Sequence, residues 1–292
     1  MSIGEGAHRL RELLAAPGSF ALPSCHDALS ARMIRDTGFD VGFLSGYGVA
    51  ATMLGVPDIG LSTQTEMVDC VRRVCAAVPG FPVIADGDTG YGNAFNIRRT
   101  VVEYARAGAA GILIEDQVNP KRCGYFAGKE VVGMEEASVR IQAAVDARAE
   151  SGLDIVIIGR TDASTVLGFE AAMQRVLRFQ ELGVDMLFIE RLQNETELRE
   201  FCGRVRLPTW YNNLVWGGSP YLPTPQLQEI GFKLISEPTL LFAATKAMML
   251  HLEALRSGVH PPPFPPRADF DTMKSVLGLK AFNEIEKRYI IK

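Results

Sequence analysis

Residues 82–117 read PVIADGDTGYGNAFNIRRTVVEYARAGAAGILIEDQ, and this stretch holds the unit from which the chain is built. A short run, Val83-Ile84-Ala85, ends on Asp86. Beyond a glycine-rich turn, Val101, Val102, Tyr104 and Ala105 fall at helical spacing, and Ala107-Gly108-Ala109 follows. Glycine just past a helix takes the left-handed cap conformation. A second apolar run, Gly111 to Ile114, then ends on Glu115-Asp116. Strand, helix, capping glycine and strand make a βαβ unit, and the continuously apolar strands suit a parallel sheet covered on both faces.

The same grammar extends in both directions. FALPSC near 20 and VGFLSG near 41 precede the unit; DIVIIGRTDA near 154, MLFIE near 186, PTWYNN near 208 and FKLISEP near 232 follow it. Gly38, Gly183 and Gly231 repeat the capping position of Gly108. Eight strand-helix units over about 250 residues predict an α/β protein of the (β/α)8 TIM barrel type, with residues 1–259 as one domain. His260 to Pro266 reads HPPPFPP, which cannot be helical and should run extended. FDTMKSVLGLKAFNEIEKRYI then has an amphipathic helical pattern. Residues 260–292 are therefore expected to be a Pro-rich linker and a C-terminal helical arm. The arm either packs on its own barrel or, carried by a stiff spacer at about 3 Å per residue, reaches a neighbouring subunit.

Composition excludes several classes. With 47% hydrophobic and 22% charged residues among 292, the chain has the balance of a globular protein with a large core. Thirty basic against 34 acidic residues give a net charge of −4, without the basic stripe of a nucleic-acid binder. The first residues, MSIGEGAHRLRELLAAPGS, carry charges throughout and read as a helix with a Pro-Gly stop rather than a signal peptide. The apolar stretch from Leu240 to Leu255 is interrupted by Lys246, His251 and Glu253 and is too short and polar to span a bilayer. Five cysteines at irregular spacing give neither a disulfide framework nor a zinc pattern, which points to a reducing compartment, the cytoplasm.

In such barrels the active site lies at the C-terminal ends of the strands. Here those ends carry Ser24, His26 and Asp27; Ser45; Asp86 and Asp88; Glu115 and Asp116. Arg160 and Asp162, Glu190, Asn212 and Asn213, and Ser236 and Glu237 complete the rim. A buried group of Asp86, Asp88 and Glu115 without a counter-charge is costly, so a hard divalent cation, Mg2+ or Mn2+, is a natural partner. Alternatively, these acids pair with Arg160, Lys121 and Arg122, or those cations hold substrate carboxylates. The loop NPKRCGYFAGKEV, 119–131, places Cys123 among Lys121, Arg122 and Lys129. Positive neighbours lower a thiol pKa, making Cys123 the candidate proton-transferring thiol, whereas Cys70, Cys75 and Cys202 read as small core residues. SGYGVAA at 45–51 lacks the following strand and acid of a dinucleotide site, and Gly128-Lys129 precedes Glu130, so neither binds phosphate by motif. His8, His251 and His260 read as surface or packing residues; His26, at a strand end, is a minor candidate.

ADGDTGYGN at 85–93, EDQVNPKRCGY at 115–125 and IIGRTDA at 157–163, with HDALSAR at 26–32 and SGYGVAATMLGVPDIG at 45–60, resemble the isocitrate lyase and phosphoenolpyruvate mutase superfamily. The likeness, from about Leu10 to the tail, is greatest to its short lyase-like branch, which includes methylisocitrate lyase, dimethylmalate lyase, petal death protein and carboxyphosphonoenolpyruvate mutase. It implies a Mg2+-dependent lyase that cleaves the C2–C3 bond of a substituted 2-hydroxy acid, of malate or isocitrate type, to a 2-oxo acid and a carboxylate. An oxaloacetate hydrolase or decarboxylase, or a phosphonomutase, is the alternative, and a non-catalytic oxo-acid-binding barrel a third. It implies Mg2+ at Asp86 and Asp88, with Glu115 assisting partly through water. It also implies a grip on the 2-oxo acid by Arg160 and the Ser45-Gly46-Tyr47 backbone, Asp58 near the reacting carbon, and a 121–129 loop that closes to bring in Cys123. The expected catalytic set is thus Cys123, Lys121, Asp58 and Tyr47. The expected substrate-binding set is Ser45, Gly46, Arg160, Glu190, Asn213, Gly124, Tyr125 and Trp216. The resemblance further implies homotetramers with C-terminal helices exchanged between neighbours. Two departures stand out: Tyr125 replaces the histidine of KRCGH, and Asn213 to Tyr221, NLVWGGSPY, puts Trp216 and Ser219 where NMxEGGKTP has an acid and a lysine. Gly159, smaller than the usual alanine, should leave room beside Arg160.

Overall fold

The computed structural model describes residues 4–258 and 267–289. Eight parallel strands, β1 (Phe20–Cys25), β2 (Gly42–Leu44), β3 (Val83–Asp86), β4 (Gly111–Glu115), β5 (Val156–Thr161), β6 (Met186–Ile189), β7 (Thr209–Asn212) and β8 (Leu234–Glu237), follow one another around a closed barrel. β1 closes it against β8, with Ala21 opposite Ile235. Gly38, Gly108, Gly183 and Gly231 all have φ near +100°, the cap expected at each helix exit. Helix entries are also locally encoded: Asp27 and Asn93 each accept from the backbone of their helix's first turn and form capping boxes with Ser30 and Asn96.

Two hydrophobic layers follow from the two-residue period of the strands. Val83 and Ala85, Ile112 and Ile114, and Ile155 and Ile157 face outward against the helices. Leu22, Phe43, Ile84, Leu113, Ile158, Phe188, Trp210 and Leu234 form the inner cluster, into which Leu10 of the first helix (Glu5–Ala15) packs. Phe188 stacks on Trp210 with ring centroids 5.0 Å apart. Two residues further along each strand, the same inward face carries Ser24, Ser45, Asp86, Glu115, Arg160, Glu190, Asn212 and Ser236. The packed interior therefore sets the phase that points these polar side chains into the barrel mouth.

Gly159 is out of that phase. A side chain there would meet Phe179 at 3.0 Å, so its small size makes room for the Phe169–Glu181 helix and not for a ligand.

The tail differs from the single helix expected. It forms two, Phe270–Leu277 and Leu279–Glu286, broken at Gly278 with φ +74°. The first packs near the Ala28–Asp36 helix, where Arg32 Nε donates to the Val276 carbonyl at 3.0 Å. The Pro-rich linker expected at 260–266 lies outside the described residues. The Leu240–Arg256 helix has no buried residue and exposes Met248, Met249, Leu252 and Leu255. No described helix is long and apolar enough to cross a membrane.

Candidate active site

A cavity of about 270 Å3 opens at the C-terminal mouth of the barrel. Its floor is polar: Asp58, Asp86, Lys121, Arg160, Glu190 and Asn212. Cys123, Gly124, Tyr125 and Phe126 approach from the β4 loop, with Ser24, His26, Ser45 and Tyr47 from the ends of β1 and β2. Trp216, Leu214, Leu241 and Phe242 form an apolar roof.

Lys121 and Arg160 organise the floor. The Lys121 ammonium lies 2.7 Å from Asp58 Oδ1 and 2.6 Å from Asp88 Oδ1. Burial opposes its charge, but Asp88, Asp86 and Asp58 prevail and hold the ammonium well above its ordinary range. The Arg160 guanidinium, itself buried, meets Asp162 at 2.8 Å, Glu115 at 3.2 Å and Glu190 at 3.3 Å, and lies 5.4 Å from the centre of the Phe188 ring. Asp162 is completely buried; burial would raise its pKa, but Arg160 and then Lys129 outweigh this and hold it at about 2. Asp88 therefore pairs with Lys121 and Glu115 with Arg160, as in the alternative left open by the sequence, whereas neither Asp86 nor Arg122 forms an ion pair among the described residues.

The β4 loop is drawn onto this floor. Cys123 N–H donates to the Asp58 carbonyl at 2.9 Å, and Lys129 Nζ bridges the Gly124 carbonyl (2.6 Å) and Asp162 (2.8 Å). Gly124 sits so close that a Cβ would lie 2.7 Å from both Arg160 Nη2 and Glu190 Cγ. The lowered thiol pKa expected for Cys123 does not occur. Burial pushes the thiol up to about 12, and the Tyr125 amide and Lys121 offset only part of this. Lys129, counted on to lower it, is engaged with Asp162 instead. The result is a neutral thiol, the form that can donate a proton.

Other expected residues are placed less simply. Ser45 N–H is committed to the Cys25 carbonyl and Gly46 N–H to Asp86 Oδ2, so those amides are not free to grip a ligand. Tyr47 enters the cavity through its ring. Asn213 is out of phase with the inward face: its side chain spans the Leu222 backbone, donating at 2.8 Å and accepting at 3.1 Å, and pins the 213–222 loop. Asn212 takes the place expected of it and donates to Glu190 Oε2 at 3.2 Å. Tyr125 Oη, Ser24 Oγ and His26 Nδ1 are buried at the cavity without a hydrogen-bond partner. Phe126 and Phe242 carry no sequence signal of their own; Asp162, on the strand-end series, and Lys129, beside Cys123, do, but their pairing with each other is not readable from sequence.

The metal donors can be tested on the same geometry. Asp86, Asp88 and Glu115 offer only oxygens, and Glu115 Oε1 and Asp88 Oδ1 have no hydrogen-bond partner, although Lys121 lies beside the latter. Burial raises the Asp86 and Glu115 carboxyls above the ordinary range, as expected of acids short of positive charge. Among the described residues, no three His, Cys, Asp or Glu side chains converge to enclose an ion directly. A cation that keeps most of its water and takes one or two carboxylates, as Mg2+ does, fits this donor set.

Comparison with known proteins decides the family. The sequence profile described as phosphoenolpyruvate phosphomutase matches residues 10–256. The chain belongs to this phosphoenolpyruvate phosphomutase family. Within it, the chain is 41% identical over 289 residues to the carboxyvinyl-carboxyphosphonate phosphorylmutase, chloroplastic, of Arabidopsis thaliana (96% of this chain, 84% of that one). It is 39% identical to the 2,3-dimethylmalate lyase of Eubacterium barkeri (97% and 98% covered). Among solved structures, oxaloacetate acetylhydrolase with the inhibitor 3,3-difluorooxalacetate superposes with a TM-score of 0.92 at 32% identity, covering 98% of this chain and 97% of that one. Members of the phosphoenolpyruvate phosphomutase family thus include lyases, mutases and hydrolases on one barrel.

Proposed function

We propose that this protein is a Mg2+-dependent carbon–carbon lyase cleaving a substituted 2-hydroxy acid of malate or isocitrate type to a 2-oxo acid and a carboxylate. The observation that carries this reading is the neutral thiol of Cys123, on a loop whose Cys123 N–H is anchored to the Asp58 carbonyl over the charged floor. Phosphoryl migration in a mutase calls for no thiol acid there, whereas cleavage of a C2–C3 bond leaves a carbanion-like carbon that a thiol acid protonates.

Arg160, fixed by three carboxylates, presents its guanidinium to the substrate carboxylate. Asp86 and Asp88, with Glu115 assisting, would hold a divalent cation, Mg2+ or Mn2+, which would supply charge stabilisation to the substrate oxygens. Asp58, paired with Lys121, accepts the proton of the substrate hydroxyl. As the C2–C3 bond breaks, its electron pair passes into the departing carboxylate half, and the Cys123 S–H delivers a proton to that carbon. The proton taken by Asp58 returns the thiolate to the thiol, so the two products together contain every atom of the substrate. Loop residues Gly124 to Phe126 keep water from the carbanion, and the partnerless Tyr125 hydroxyl donates to a substrate carboxylate.

The exposed apolar face of the Leu240–Arg256 helix supports a homotetramer built through the C-terminal helices, and five free thiols support a reducing, cytoplasmic setting. The test of function is oxo-acid release from a panel of malates and methylisocitrate, with oxaloacetate consumption and phosphonate formation assayed beside it. The reading expects oxo-acid release that EDTA abolishes and Mg2+ or Mn2+ restores; turnover of oxaloacetate alone would contradict it.

A further inference from the structure

The turn that carries Asp88 is held in an unfavourable shape. Between the end of β3 at Asp86 and the Ala94–Ala107 helix the chain reads GDTGYGN, Gly87 to Asn93. Among the described residues, three other than glycine have positive φ, and two of them stand here, Asp88 at +49° and Tyr91 at +61°. Residues with a side chain rarely occupy this left-handed region. Gly90, at φ +82°, fits where Ile97 leaves no room for a Cβ. The shape aims Asp88 into the floor. Its N–H donates to Asp86 Oδ1 at 3.1 Å, its carbonyl accepts from the Glu115 N–H at 2.9 Å, and its Oδ1 meets Lys121.

Two tyrosines clamp this turn. Tyr104, fully buried on the Ala94–Ala107 helix, donates its hydroxyl to the Asp86 carbonyl at 2.8 Å. Its oxygen also lies 3.1 Å from the Tyr91 hydroxyl. A phenol has one proton to give, and that of Tyr104 is spent on Asp86, so Tyr91 is the donor in the second bond. Burial holds both phenols well above their ordinary range, so both keep their protons. One buried oxygen thus ties the residue that enters the turn to a residue near its exit, with Asp88 between them. Without that tie, Asp88 and Tyr91 are free to relax toward ordinary φ, and rotation at Asp88 carries its carboxylate away from Asp86. Neither tyrosine lines the cavity, and neither takes part in the chemistry proposed above.

Building on the metal site of the lyase reading, we propose that Tyr104 and Tyr91 are positioning residues for the cation: their hydroxyl relay, from Tyr91 to Tyr104 to the Asp86 carbonyl, holds Asp86 and Asp88 in the arrangement that takes up Mg2+ or Mn2+. Loss of a partner that orients a metal ligand costs roughly 10–100-fold in metal affinity. The relay reaches the backbone of Asp86 rather than its carboxylate, which places the effect at the lower end of that range. Tyr104→Phe breaks both bonds of the relay, whereas Tyr91→Phe leaves the one to Asp86 in place.

The test measures free Mn2+ by electron paramagnetic resonance over the full-length protein without substrate, and counts as the site the binding that Asp88→Asn removes. Tyr104→Phe should raise the Mn2+ dissociation constant about tenfold and Tyr91→Phe about threefold, and the Mn2+ concentration that half-activates oxo-acid release should move by the same factors. Tyr211→Phe is the structural counterpart. It also loses a tyrosine hydroxyl bond to a backbone carbonyl, that of Pro220, and should stay within about twofold of the wild-type Mn2+ affinity. Thermal unfolding in EDTA accompanies each variant, so that lost stability is separated from lost metal. Unchanged Mn2+ affinity in Tyr104→Phe, whatever its Tm, or equal weakening in Tyr211→Phe overturns the inference while leaving the lyase reading intact. Should Tyr104→Phe fail to fold, Tyr91→Phe decides, and wild-type affinity in that variant overturns the relay. Affinities that follow the expected factors in a protein that releases no oxo acid support the relay and overturn the lyase reading instead. A wild-type protein that takes up no Mn2+ overturns the relay together with the metal site.

Discussion

Replacing Gly124 by alanine tests whether the β4 loop seats on the barrel floor as described. The new Cβ would stand 2.7 Å from Arg160 Nη2, Glu190 Cγ and Glu190 Oε2. Ordinary contact begins at 3.4 Å, so about 0.7 Å must be found. Ends of long side chains usually yield, but these two are pinned: Arg160 by Asp162 and Glu115, Glu190 by Asn212 and the Arg191 amide. Gly124 is not among the glycines with positive φ, so alanine meets only the lack of space. The loop must therefore lift, and Cys123 with it. Misplacement by about 1 Å in an active site costs on the order of 10²-fold, and kcat/KM of Gly124→Ala on the best substrate should fall by that order. Gly203→Ala, inside the Glu195–Arg204 helix with nothing within 4 Å, is the control and should retain full activity with stability raised by about 0.5–1 kcal/mol. A Gly124→Ala enzyme within threefold of wild type would refute the close seating.

Other expectations follow from the charges. Lys121→Met strands Asp58 and Asp88 in a buried site and should cost about 3–5 kcal/mol in urea unfolding at pH 7; a loss below 1 kcal/mol would show that the pair is dispensable. Asp162, held at about 2 against an ordinary 3.8, is a depressed acid. Its stabilisation is therefore complete above pH 4 and lost as pH falls toward 2, roughly 2 kcal/mol in all. The stability gap between wild type and Asp162→Asn should accordingly be constant from pH 7 to 5 and narrow below pH 4; a gap that widens on acidification would reverse the assigned sign. With its thiol at about 12 rather than 9, Cys123 should react with iodoacetamide at pH 8 about a thousandfold more slowly than an ordinary thiol. Peptide mapping that finds it alkylated at an ordinary rate would contradict that environment.

The fold was legible because its signals are local and repeated. Gly38, Gly108, Gly183 and Gly231 mark helix exits within a few residues of each strand, and the eight apolar runs stand where the strands form. Inward phase was partly legible: it separates Asn212 from Asn213 and turns Gly159 outward, but only once Trp210 and Ile158 are known to face the interior. Pairing was not legible. Lys121 finds Asp58 across 63 residues and Lys129 finds Asp162 across 33, distances over which sequence carries no register. The Cys123 pKa went the wrong way for the same reason: adjacent positive charges were visible in the sequence, whereas burial and the diversion of Lys129 to Asp162 were not. The aromatic roof escaped notice because Phe242 meets Tyr47 and Trp216 from a different strand-helix unit.

In the proposed reaction the neutral Cys123 thiol delivers the proton that completes carbon–carbon cleavage. Its most direct test is kcat for oxo-acid release by Cys123→Ser on the best substrate, with binding of a 2-alkylsuccinate measured on the same sample to show that the site is intact. General-acid catalysis contributes roughly 10²–10⁴-fold. At least about a hundredfold loss of kcat is therefore expected, with 2-alkylsuccinate binding retained. Full activity in Cys123→Ser would contradict it.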